Sequence, residues 1–239
     1  MMAALSSQVC DSIIPLDVMR IYDDLRIKTR YRENWKEVKE VRLWKELVFC
    51  ILSANVSYEL VKSTVDVLDK RKLLDSYWLI NIRNSAQILS EELGKPLFEP
   101  IKKDGEGRKY RYPRRGREIV EAARIIYLKN GSIKNMLEKA ESDTLLRNNL
   151  AETIPGLGFK EASHFLRNIG FSNSLAIIDI HILDFISQYL NVDLKKRSVA
   201  SIKEYLLFEK ILQNFSEYHG LNLAIFDLAV WFYMRDKYQ

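Results

Sequence analysis

The chain has 239 residues, 47% of them hydrophobic, enough for a substantial core in one large domain or two small ones. Its 37 Lys and Arg exceed 32 Asp and Glu by only five, so any attraction to a polyanion must come from clustered charge. Two cysteines, Cys10 and Cys50, with three histidines exclude an iron–sulfur or structural zinc site built on four thiolates, and no metal or other cofactor is expected.

The N-terminus lacks a basic n-region ahead of an apolar h-region, and no apolar run approaches membrane-spanning length. The expectation is an intracellular protein of cytoplasm or nucleoid, a monomer with no membrane partner. Nine glycines and five prolines punctuate long segments whose apolar residues recur at three and four positions, and strand-like alternation is scarce. The pattern predicts an all-α fold.

In chain order, Leu43, Leu47, Val48, Ile51 and Leu52 form one helical stripe, with Cys50 read as a buried reduced thiol. Leu60, Thr64, Val65 and Leu68 form another, with Ser57 as its N-cap. Residues 95–120, "KPLFEPIKKDGEGRKYRYPRRGREIV", read as an extended loop through Gly116. Between Lys102 and Arg117 it holds eight basic residues against Asp104 and Glu106, with Tyr110 and Tyr112 interleaved. A solvated loop and a phosphate-contacting arm explain this run equally well. Helices are predicted to resume at Glu118, closing at Gly131, and at Thr144.

"IPGLGFKEASHFLRN", residues 154–168, then breaks the pattern. Pro155 ends a helix, Gly156 and Gly158 permit positive φ and close backbone approach, and a helix starts at once at Lys160, capped beyond Asn168 by Gly170. Amides of such a turn and of the following helix N-terminus make an anion site that suits a DNA phosphate. A packing hairpin uses the same pattern. Lys160, however, sits in a first turn, where the dipole disfavours a cation; an amine that must be neutral to attack gains from that field.

Asp179 precedes "IHILDFISQYL", whose Leu183, Ile186 and Leu190 form a core stripe. It reads as an N-cap, and a carboxylate so fixed can also face a developing positive charge. His181, in the first turn of that helix, is either structural or a phosphate contact. The final helix, about Leu223 to Met234, is apolar on nearly all sides and is expected to be buried.

"IPGLGFKEA" with "IIDIH", and "ILSANVS" on an early helix, resemble the signature of the helix-hairpin-helix (HhH-GPD) DNA glycosylase/AP lyases, and in particular the short archaeal-type 8-oxoguanine DNA glycosylases. The likeness runs from about Leu43 to the C-terminus. It implies two helical subdomains flanking a DNA-binding cleft, and a bifunctional enzyme that excises 8-oxoguanine from double-stranded DNA and cuts the abasic site by β-elimination. By the same likeness Lys160 is the nucleophile and Asp179 its carboxylate. Gly156, Leu157 and Gly158 bind phosphate through main-chain groups, Asn55 enters the space left by the extruded base, and His181 lies near the lesion phosphate.

The larger eukaryotic-type enzymes place a cysteine four residues after the lysine, where this chain has His164, so that contact does not transfer. In the short branch a tryptophan near the chain end stacks the base, which makes Trp231 the candidate beside its alternative as core. Asp227, in the same helix, either pairs structurally or accepts a purine N–H. The expected organisation is an N-terminal segment 1–39 packing with the C-terminal lobe, a central barrel 40–165 and a lobe 166–239, with Lys160 and Asp179 meeting where the lobes join. A glycosylase for oxidised pyrimidines and a non-enzymatic helix-hairpin-helix module are the alternatives.

Overall fold

The computed structural model describes residues 12–29, 34–103, 105–194 and 198–237; Cys10 and Asp104 lie outside them. Twelve α-helices are present among the described residues, and extended pairing is limited there to one isolated antiparallel bridge between Phe98 and Arg108. The chain divides into two compact units, residues 35–169 and residues 1–34 with 170–239.

The 35–169 unit is built around α2 (Glu40–Ser53), which buries Leu43, Leu47, Val48, Cys50, Ile51 and Leu52 as its periodicity predicts, together with Trp44. The Trp44 indole donates to Leu74 O at 2.8 Å, satisfying its one polar atom in the core. After it in the chain come α3 (Tyr58–Lys70), which packs on α2, then α4 (Ser76–Asn81) and α5 (Ser85–Leu93), and α6 (Arg115–Arg124), which contacts α2, α4 and α5. Beyond α6, which runs on as a π-helical turn over Ile125–Asn130, come α7 (Ile133–Glu138), α8 (Asp143–Thr153) and α9 (Phe159–Asn168). Ser57 occupies the N-cap position of α3, but its hydroxyl makes no capping bond.

Helix α6 begins three residues before the expected Glu118. Gly116, read as part of the loop, lies inside it, because a Cβ there would fall 2.6 Å from the amide and hydroxyl of Ser90 on α5. The glycine is set by close helix approach and not by loop geometry. In the preceding loop Phe98 and Tyr110 turn inward and are fully buried, burial worth about 1.5–3 kcal/mol for a ring of this size. Tyr110 donates its hydroxyl to Leu52 O at 2.6 Å, and burial raises the phenol's pKa. That corrects the reading of its ring as part of a nucleic-acid-facing arm.

The other unit holds α1 (Leu16–Thr29), α10 (Ile180–Tyr189), α11 (Ile202–Tyr218) and α12 (Leu223–Lys237). Helix α12 packs against all three others. Tyr22 of α1 accepts the Asn222 amide at 2.9 Å, just before α12. Phe226, Ala229, Val230 and Met234 are buried, whereas Trp231, Phe232 and Tyr233 are half-buried. The expected all-round burial of this helix therefore holds on one side only.

Candidate active site

The hairpin follows from local constraints. Helix α8 is capped by Ser142, whose hydroxyl accepts the Leu145 amide at 3.2 Å. Its far end gives way to an extended Ile154 (φ −95°, ψ 112°), the conformation that a following proline enforces. Gly156 takes φ +87°, and a Cβ there would meet Glu118 Oε2 at 2.6 Å, Arg115 Nη1 at 2.7 Å and Ile51 Cγ2 at 2.9 Å. Only glycine satisfies both the backbone and the space. Gly158 differs from expectation: its φ of −93° is open to any residue, and its place is set by Glu161, whose Oε2 accepts the Gly158 amide at 3.2 Å.

Leu157 buries its side chain and donates its amide to Ile154 O at 3.2 Å within the turn. The first intrahelical bond of α9 runs from the Ala162 amide to Gly158 O at 2.9 Å, so the amides before Ala162 lie outside the helical ladder. Lys160 is the second residue of α9. Its side chain is 30% exposed, with Nζ 3.2 Å from Glu161 Oε1. Glu161, only 10% exposed in its side chain, thus holds the lysine ammonium with one oxygen and the hairpin amide with the other. Sequence reading passed over Glu161, although a carboxylate three residues after an N-cap glycine is the signal for this reverse bond.

His164 lies one turn beyond Lys160, half-buried and edge-on to Phe49 with centroids 6.0 Å apart. Burial first, then the Arg167 and Lys160 cations, lower its pKa from 6.5 to about 3. The folded protein therefore refuses a proton that the unfolded chain takes up between those values. Stability is complete above the ordinary value and falls as pH drops toward the depressed one. A His164→Gln variant is expected to lose less thermal stability than the parent across that acid range, as read from melting temperature against pH; parallel curves would refute it. Asn55 is exposed in the turn between α2 and α3 and holds φ +58°, a left-handed conformation that asparagine tolerates better than most residues.

In the other unit, residues 176–178 belong to no helix or strand, and side chains bind their backbone. Glu209 Oε1 accepts the Ala176 amide at 3.0 Å, Asp227 Oδ2 the Ile177 amide at 2.7 Å, and the Tyr205 hydroxyl the Ile178 amide at 3.4 Å while donating to Ala176 O at 2.8 Å. Asp227 is thus buried as a structural acceptor. This lacing delivers Asp179 to the head of α10, where Oδ1 accepts the His181 and Ile182 amides at 2.9 and 3.0 Å. His181 is half-buried, edge-on to Trp231 at 6.0 Å, and its buried Nδ1 meets no hydrogen-bond partner among the described residues. The Arg235 guanidinium lies over the Trp231 ring at 4.7 Å. Among the described residues no group of three or more His, Cys, Asp or Glu is placed to hold a metal ion, and no helix is long and apolar enough to cross a membrane.

The all-helical fold and its hairpin define the class of helix-hairpin-helix DNA glycosylases. The structure superposes on the 8-oxoguanine DNA glycosylase of Methanocaldococcus jannaschii with a TM-score of 0.68 at 28% identity, covering 90% of this chain and 92% of that one. A structure of the Methanocaldococcus jannaschii 8-oxoguanine glycosylase/lyase in complex with 15mer DNA containing 8-oxoguanine gives 0.67 at 28% identity, with 90% of each chain covered. An 8-oxoguanine DNA glycosylase/AP lyase of Korarchaeum cryptofilum is 37% identical over 207 residues, 86% of each sequence. The chain belongs to the Ogg-HhH family, 8-oxoguanine DNA glycosylase, which it matches over residues 25–221.

Proposed function

We propose that this protein excises 8-oxoguanine from double-stranded DNA and cleaves the abasic site by β-elimination through a lysine Schiff base. The observation that carries this reading is the family match over residues 25–221, a span that includes Lys160 and Asp179. A stacked base hides its glycosidic bond, so the nucleotide must leave the helix at a cost of a few kcal/mol. Stacking on Trp231, phosphate contacts from the hairpin main chain and His181, and Asn55 in the vacated space offset that cost.

Neutral Lys160 attacks C1′ of the deoxyribose as the bond to the base breaks, and the base leaves with a proton. Asp179 faces the positive charge that builds on the sugar. Ring opening gives an imine at C1′. Loss of a C2′ proton then expels the 3′ phosphate, and water releases the lysine.

Duplexes carrying 8-oxoguanine or thymine glycol, each incubated with and without borohydride, test the proposal. Release of 8-oxoguanine, strand cutting and a trapped covalent adduct are expected. Release of thymine glycol alone would overturn the substrate assignment. Binding with neither product nor adduct would reduce the protein to a phosphate grip, for which Lys160 and Asp179 have no use.

A further inference from the structure

The basic run between Lys102 and Arg117 is not accounted for by the hairpin, the lysine or the aspartate. Its residues divide by burial. Tyr110 points inward to Leu52 O, while its neighbours Lys109 and Arg111 are exposed. Arg115 is also turned inward, with Nη1 on Gly156 O at 3.1 Å and on Glu118 Oε2 at 2.6 Å. Arg114 and Arg117, on either side of it, are exposed and three residues apart, which places them on one face at the start of α6.

The run is therefore tethered at two points. Tyr110 fixes it to the end of α2, three residues before Asn55, and Arg115 fixes it to the glycine turn of the hairpin. Among the described residues, the acids closest along this stretch are already paired with other cations. Glu118 is engaged by Arg115, Glu106 is paired with Lys102, and Glu121, on the next turn of α6, lies 3.7 Å from Arg124. Holding exposed like charges together works against the fold, a cost that a polyanion removes.

We propose that Lys109, Arg111, Arg114 and Arg117 form a second phosphate-binding surface, which grips the DNA backbone flanking the nucleotide addressed by the hairpin. This rests on the DNA-repair reading above and extends it. The surface contributes sequence-independent affinity through counterion release. Its placement is set by Tyr110 and Arg115, which serve as anchors and do not touch DNA.

The test is the salt dependence of binding to undamaged duplex, compared among Lys109→Ala/Arg111→Ala, Arg114→Ala/Arg117→Ala, the fourfold combination and a control, Lys62→Ala/Lys70→Ala, which removes two exposed cations elsewhere in the same unit. Each test pair is expected to make the slope of log K against log salt shallower by about one to two, and the combination by about two to four, at roughly 0.9 per phosphate contact. The control is expected to shift it by less than about half a unit. Equal shifts in control and test pairs would reduce the effect to net charge, and parent-like slopes in both test pairs would remove the surface; either result overturns the proposal. Melting temperatures separate lost contacts from lost folding, and two independent pairs keep the outcome readable if one is unstable. Because the duplex carries no lesion, absence of 8-oxoguanine release by the parent would sink the catalytic reading and leave this measurement intact.

Discussion

Replacing Lys160 by glutamine is expected to abolish the borohydride-trapped adduct and to slow single-turnover release of 8-oxoguanine by a factor on the order of 10⁴ or more. The amide is close in length but has no lone pair basic enough to attack C1′, so the covalent route closes while the side chain's volume stays. Folding is expected to survive. Lys160 is 30% exposed, and Glu161 keeps its bond to the Gly158 amide after the ammonium is gone. Removing a cation from the first turn of α9 also relieves an unfavourable dipole interaction of about 0.3–1 kcal/mol, which offsets the lost ion pair. Affinity for undamaged duplex should change by less than about tenfold, because at most one counterion-release contact disappears. Base release that persists without strand cutting would leave Lys160 the lyase nucleophile only, with water displacing the base. An adduct that persists would move the nucleophile elsewhere.

The parts of this site legible in the sequence were those written in local chemistry. Pro155 and Gly156 announce a turn because one restricts the residue before it and the other alone tolerates φ +87°, and Asp179 announces a helix start because its side chain can accept α10's first amides. What escaped depends on partners distant in the chain. Tyr110 looked like one of two aromatics in a charged loop, and only packing against α2, 58 residues earlier, shows its hydroxyl on Leu52 O. Gly116 looked like loop punctuation until α5 came within 2.6 Å of its Cβ position. Asp227 kept two readings open because no local pattern points to the Ile177 amide, 50 residues away. Glu209 and Tyr205, whose oxygens accept amides of the same segment, likewise carry no local sequence signal. Tyr22 on the Asn222 amide, with α1 along α12, joins positions two hundred residues apart, a link that no local pattern announces.

Changing Asp179 to asparagine separates the two duties of that residue. Asparagine caps a helix about as well as aspartate, and its side-chain oxygen can still accept the His181 and Ile182 amides, so α10 should keep its start. The lost charge at the helix head costs about 0.3–1 kcal/mol, a shift of a few degrees in melting temperature at most. The 176–178 segment, held by Glu209, Tyr205 and Asp227, does not depend on the substitution and keeps the residue in place. Chemistry should respond differently, because a neutral amide cannot offset positive charge on the sugar. Loss of such a preorganised group removes on the order of 10²–10³ in rate, or about 2.7–4 kcal/mol of transition-state stabilisation. Single-turnover excision is therefore expected to fall by at least about a hundredfold while affinity for 8-oxoguanine duplex stays within about threefold, a difference of under about 0.7 kcal/mol. Equal losses of rate and affinity would make Asp179 a cap and nothing more. An Asp179→Ala variant that lost both activity and melting temperature would then measure the cap alone, since alanine leaves the two amides without their acceptor, at about 0.5–2 kcal/mol.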